Sequence, residues 1–153
     1  EISENTNAAA TDAQRVLPLS DSPYTDLDGV PVDVSQFEGK VLVVNAWASW
    51  CPFCVQELPD FAELGEEFRD DIVVIAINRR ESASQARAFL DSIDNPESVE
   101  FWLDETDNFY KSIGGFSMPE TIFYDQEGNI STHKRGFMGL DEMRSLTLQA
   151  LGQ

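Results

Sequence analysis

A near-continuous apolar run, Val41 to Ala48, ends just before Cys51-Pro52-Phe53-Cys54, which holds both cysteines of the chain. Such a run fits a strand buried on both faces, so it sets the centre of a sheet. After Cys51, apolar residues recur at Val55, Leu58, Phe61, Ala62, Leu64 and Phe68, close to a helical period. A strand that ends in Cys-X-X-Cys and feeds a helix puts the first sulfur at the helix N-terminus. There, unpaired N–H groups and the positive end of the dipole favour a thiolate, the species that attacks disulfides. The second cysteine, about one turn on, can close the ring and release the product. Pro59 inside the helix removes a backbone donor and predicts a kink.

Other uses of the two thiols fit less well. A structural bridge across two residues closes a tiny loop and removes little unfolded-state entropy. Zinc takes four ligands, and the chain offers no third cysteine and only His133. Covalent haem attachment needs a histidine after the second cysteine, and Val55 stands there.

A length of 153 residues suits one domain with a sizeable core. No apolar run approaches the roughly 20 residues of a membrane-spanning helix. The sequence begins with Glu1, and residues 1–15 are polar and Ala-rich. They read as a disordered tail left after removal of a signal or anchor, with the domain over 16–153. The formal net charge is −18, from 28 acidic and 10 basic residues. That surface repels nucleic acid and anionic membranes. Two readings of the charge stay open, an incidental acidic face and a host in salty water that screens self-repulsion.

Asp28-Gly29 between short alternating segments predicts a β-hairpin within residues 16–40. Strands are expected at Ile72–Ile77, Val99–Leu103, Thr121–Tyr124 and Ile130–Lys134, the last two joined by the turn Glu127-Gly128-Asn129. Helices are expected at Ser84–Ile93, stopped by Asn95-Pro96, and at Thr106–Ile113, before Gly114-Gly115. A terminal amphipathic helix is expected at Leu140–Leu151, with Leu140, Met143, Leu146, Leu148 and Leu151 facing inward. This order makes an α/β domain with a central mixed β-sheet flanked by helices.

With these elements in place, the chain resembles the thioredoxin superfamily, and within it the TlpA/ResA-type extracytoplasmic proteins, over roughly residues 20–152. The resemblance rests on Leu27-Asp28-Gly29, Phe37-Glu38-Gly39-Lys40, the run Val43 to Cys51, Glu57-Leu58-Pro59, and Ser117-Met118-Pro119-Glu120-Thr121 followed by Asp125-Gln126-Glu127-Gly128. It implies that Cys51 attacks from an exposed helix tip and that the more buried Cys54 resolves. It also implies that Pro119 is cis and lies by the disulfide, where the preceding backbone can pair with a substrate strand. Trp50, Pro52, Phe53 and Met118 are then the substrate-facing residues, and Trp47 packs beneath.

Two departures matter. Where thioredoxins carry a buried Asp, this chain has Asn45, which cannot titrate; Glu57 is the substitute proton acceptor, and its pKa is expected to be raised by burial. Pro52-Phe53 brings no positive charge to the thiolate. His133 reads as a solvated strand residue, and Arg79 and Arg80 as solvated charge.

The expected activity is thiol–disulfide exchange through a mixed disulfide on Cys51, without metal, nucleotide or organic cofactor. The resemblance implies a reductive, periplasmic or membrane-anchored protein that works as a monomer. Its electrons would come from a membrane-embedded thiol donor, and its substrates would be exported proteins, including apocytochrome c. The rivals are a peroxiredoxin-like peroxidase and a non-catalytic binding or chaperone module. Peroxiredoxins place their cysteine in Thr-X-X-Cys, and Ala48 stands at that threonine.

Overall fold

Every residue of β1 (Val41–Trp47) is buried, as a strand with neighbours on both edges and packing on both faces requires. The computed structural model describes residues 22–93 and 96–153, so the expected tail over 1–15 and the Asn95 stop lie outside the described residues. After β1 come α1 (Pro52–Glu67), β2 (Ile72–Arg79), α2 (Ala83–Ser92), β3 (Val99–Asp104) and α3 (Asn108–Ser112). β4 (Glu120–Tyr124), β5 (Ile130–Arg135) and α4 (Leu140–Ala150) complete the chain. The sheet order is β3-β2-β1-β4-β5. β1, β2 and β3 run parallel, while β4 is antiparallel to both β1 and β5. This is a mixed five-stranded sheet of the thioredoxin-like kind.

Side chains alternate across the sheet and build two cores. Val41, Val43, Trp47 and Val74 meet Leu58, Phe61 and Leu64 of α1, Leu90 of α2, and Met143 and Ala150 of α4. On the other face Leu42, Val44, Ile75 and Ile122 are covered by α3 and by Tyr24, Val32, Val34 and Phe37 of the N-terminal segment. Pro59 lies inside α1, which continues from Pro52 to Glu67. In α4 the buried stripe is Met143, Thr147 and Ala150. Leu148, expected inward, is exposed, because it lies about 100° around the helix from Thr147.

The expected N-terminal hairpin is reduced to one bridge. Thr25 pairs with Pro31 around a turn in which Asp26 Oδ1 accepts the N–H groups of Asp28 and Val30. Gly29 supplies the positive φ of +84°. Around that bridge the Asp26 N–H donates to the Val30 carbonyl at 2.9 Å and the Val32 N–H to the Tyr24 carbonyl at 3.1 Å, so Pro31 faces Thr25 at a position that needs no N–H. The other edge of Thr25 pairs with Leu103 of β3 by bonds of 3.2 and 2.7 Å. The chain then enters a short 3₁₀ turn, Val34–Phe37, capped by Asp33. The second hairpin forms as expected: Asp125 Oδ1 takes the N–H groups of Glu127 and Asn129, and Gly128 sits at φ +87°. No helix among the described residues is long and apolar enough to cross a membrane.

Candidate active site

Beyond β1 the chain makes one tight turn, closed by the Cys51 N–H donating to the Ala48 carbonyl at 3.2 Å. Cys51 is the N-cap of α1, with extended backbone, and Pro52 takes the first helical position, where a missing N–H costs nothing. Cys51 and Cys54 form a disulfide with Cα atoms 5.3 Å apart. The Cys54 N–H points at Cys51 Sγ, 3.3 Å away, so a free helix-terminal donor serves the sulfur that would carry negative charge. The order of exposure is the expected one, but the tip itself is not open. Cys51 is only 4% exposed and Cys54 fully buried. Trp50 (61%), Phe53 (57%) and Pro52, the sequence neighbours of Cys51, are exposed. Trp47 is core, against Phe89 and Phe101.

Glu57 follows Cys54 by three residues on α1 and is fully buried, so the two side chains share one helical face. Its Oε2 accepts the Met138 N–H at 2.9 Å, and its Oε1 lies 3.4 Å from Asn45 Nδ2, which also donates to Thr121 Oγ1. Burial pushes its pKa up to about 8 against these two weaker opposing bonds. No cation forms an ion pair with it among the described residues.

The Met118–Pro119 bond is cis. Pairing of Ala46 with Glu120 sets Pro119 level with the end of β1, and Met118 packs on the core that contains both cysteines. The loop before it is clamped from several sides. Glu120 Oε2 accepts the N–H groups of Phe116 and Ser117 at 2.7 and 2.8 Å, and Tyr110 Oη donates to the Ser117 carbonyl at 2.8 Å. Arg135 donates to Glu120 and to the Gly114 carbonyl, and its guanidinium covers the Phe116 ring. These bonds hold residues 114–117 and stop short of Met118.

His133 is not a free strand residue: its Nε2 lies 2.6 Å from Oε1 of the buried Glu120. β4–β5 pairing places His133 opposite Ile122, on the strand beside that carboxylate. Burial alone would raise the Glu120 carboxyl, but the Ser117 and Phe116 N–H groups, His133 and Arg135 outweigh it and hold the pKa low. Arg79, read as solvated charge, grips Asp107 through two bonds of 2.9 and 2.7 Å and lies over the Tyr110 ring. It thereby braces the tyrosine that holds the proline loop.

Sequence reasoning also missed Glu81, Phe116 and Phe137. Glu81 is 8% exposed at the end of β2, and its carboxylate takes the Ser49 N–H (2.8 Å), Ser49 Oγ (2.5 Å) and Asn78 Nδ2 (2.7 Å). Burial would raise its pKa; those donors prevail and lower it. Phe137 packs against Phe53 in a tilted pair with ring centres 6.0 Å apart, and Phe116 is 77% exposed. Large exposed apolar side chains in so acidic a chain were the available signal for the two phenylalanines. A cavity of about 330 Å³ lined by Phe37, Leu42 and Tyr124 lies at the opposite end of β1 and has no part in thiol chemistry.

A disulfide capping a helix at the end of the central strand of a mixed sheet, next to a cis-proline loop, defines a thioredoxin-like thiol–disulfide oxidoreductase. The chain belongs to the Redoxin family, whose model matches residues 6–149. It is 31% identical over 120 residues to the thioredoxin-like protein YneN of Bacillus subtilis, covering 76% of this chain and 69% of that protein. It is also 31% identical over 125 residues to the thiol:disulfide interchange protein HelX of Rhodobacter capsulatus, covering 81% and 65%. The crystal structure of the pneumococcal exposed lipoprotein thioredoxin Etrx1 from Streptococcus pneumoniae superposes with a TM-score of 0.71 at 27% identity. It covers 81% of this chain and 96% of that one.

Glu57 makes stability depend on pH. The unfolded chain releases its proton near the ordinary 4.5, the folded protein near 8. Stability from the protonated acid is complete below about pH 4.5 and falls as pH rises, because the unfolded state ionises first. The loss is complete above about pH 8 and is on the order of 5 kcal/mol. Thermal melts of oxidised wild type should drop between pH 5 and 8.5 relative to Glu57→Gln. Parallel melting curves across that range would contradict the assignment.

Proposed function

We propose that this protein reduces disulfides in exported proteins through Cys51 and Cys54, with electrons from a membrane-embedded thiol donor, and that apocytochrome c cysteines are among its substrates. The observation that carries this reading is the pairing of a helix-capping disulfide with a buried, proton-retaining acid one turn away. The resemblance to TlpA/ResA-type proteins supports the substrate and the donor. The pneumococcal relative Etrx1 is an exposed lipoprotein, which supports a site of action outside the cytoplasm, periplasmic or anchored at the membrane. The protein acts as a monomer.

In the reduced enzyme Cys51 is the thiolate, served by the Cys54 N–H. It attacks one sulfur of the substrate disulfide. The substrate S–S bond breaks, its other sulfur leaves as a thiolate and takes a proton from solvent, and a mixed disulfide forms. The ionised form of Glu57, the minor one below its raised pKa, takes the Cys54 proton, and the Cys54 thiolate attacks Cys51 Sγ. The mixed disulfide breaks, the second substrate sulfur leaves as a thiolate and takes that proton from Glu57, and the enzyme is left oxidised. Two electrons have moved to the substrate. Pro119 and Met118 hold the substrate strand, and Trp50, Pro52 and Phe53 supply apolar contact.

A reductive direction is supported by the dipeptide beside Cys51. A strong oxidant over-stabilises its reduced thiolate form. Here Pro52 and Phe53 add no charge between the sulfurs. A glutathione or dithiothreitol titration of the pair should give a potential near the thioredoxin value of about −270 mV. A value near that of the strong oxidant type, about −120 mV, would reverse the proposed direction.

The two cysteines differ in role, and that is testable by trapping. Cys54→Ser should accumulate a mixed disulfide with a substrate protein, and Cys51→Ser should accumulate none. In reduced wild type, iodoacetamide should label Cys51 far faster than Cys54. Equal labelling rates would defeat the assignment. Proton transfer through Glu57 is tested separately by the pH–rate profile of Glu57→Gln, which should be slower and flatter than wild type. Superimposable profiles would leave Glu57 as a buried acid without a part in exchange.

A further inference from the structure

The buried carboxylate of Glu81 has no structural task of its own that accounts for its place. Among the described residues it forms no ion pair. It does not cap α2, because Ser82 and Gln85 make that capping box by themselves. Burying a charge that is met only by neutral donors is costly unless those donors are well placed. Two of its three donors belong to one residue, Ser49.

Ser49 is the second residue of the turn that the Cys51 N–H closes onto Ala48. The same turn points Trp50 outward and delivers Cys51 as the cap of α1. The end of β2 lies alongside, since Trp47 pairs with Asn78 in the parallel register. Arg80, in the left-handed region at φ 59°, reverses the chain there. Glu81 is held in this reversal by its N–H on Asn78 Oδ1 at 3.1 Å, and Asn78 Nδ2 returns a bond of 2.7 Å to the carboxylate. The non-glycine left-handed residue, the buried amide and the buried acid thus converge on one backbone N–H and one hydroxyl, two residues before the nucleophile.

We propose that Glu81 is a positioning residue for thiol–disulfide exchange, fixing the Ala48–Cys51 turn so that Cys51 Sγ meets the Cys54 N–H and Trp50 faces the substrate. The inference rests on Cys51 being the attacking thiol. It is a geometric role, so an amide can fill it. In Glu81→Gln the amide oxygen can keep the Ser49 N–H and Asn78 bonds, while the amide nitrogen donates to a rotated Ser49 Oγ. Glu81→Ala keeps neither bond to Ser49.

The test compares wild type, Glu81→Ala, Glu81→Gln, Ser49→Ala and Cys51→Ser in insulin reduction driven by dithiothreitol. Iodoacetamide labelling of Cys51 in the reduced proteins runs beside it. Glu81→Ala should lose about tenfold or more in both rates, the loss of bonds to a charged acceptor. Glu81→Gln should stay within about threefold of wild type, and Ser49→Ala should fall between. A folded Glu81→Ala with wild-type rates overturns the proposal, and so does Glu81→Gln as slow as Glu81→Ala, which would make the charge decisive. If Glu81→Ala does not fold, Ser49→Ala decides. A slower rate at unchanged melting temperature supports the positioning role, and a wild-type rate overturns it. Activity retained by Cys51→Ser would instead remove the reading of the site on which the inference stands.

Discussion

The structure depends on β1, a strand with no solvent-facing side. Its edges are taken by β2 and β4 and its faces by two separate cores, so neither its register nor its direction is free to slip. Whatever follows its last residue is therefore delivered to one fixed place. The turn bearing the cysteines, the reversal after β2 and the loop before β4 all meet there, since parallel β2 ends where antiparallel β4 begins. Three segments distant in sequence are assembled by strand direction alone.

At that end of the sheet three glutamates are buried, and they are not alike. Glu81 and Glu120 are surrounded by donors, which more than repay their lost hydration and keep them ionised. Glu57 has one backbone donor and one long amide contact, and burial prevails. The same side chain is thus held as an anion twice and keeps its proton to a higher pH once. The number of hydrogen-bond donors decides which. The two anions hold backbone: Glu81 the residue leading to Cys51, Glu120 the residues leading to Pro119. The third stands one helical turn from Cys54.

Much of this was legible in the chain. Periodicity located the strands and helices, because burial on one stripe or on both faces leaves a pattern in a single sequence. Cys51, Cys54 and Pro119 carried the resemblance, and Glu57 was found by asking where the proton acceptor replaced by Asn45 had gone. The failures share a cause. His133, Arg79 and Glu81 are polar residues whose partners lie far along the chain or across a turn, and local pattern carries no record of such pairing. The hairpin before β1 was legible from its turn residues but not in its length, which is a single bridge.

Cys51 is buried while its sequence neighbours Trp50, Pro52 and Phe53 are exposed, so its sulfur lies below the surface they form, and this amounts to a filter on reach. Exchange needs a partner sulfur in line with Sγ, so the partner chain must descend past those side chains. A bridge on slack, protruding polypeptide reaches that line with less movement of its own chain than one seated inside a packed interior.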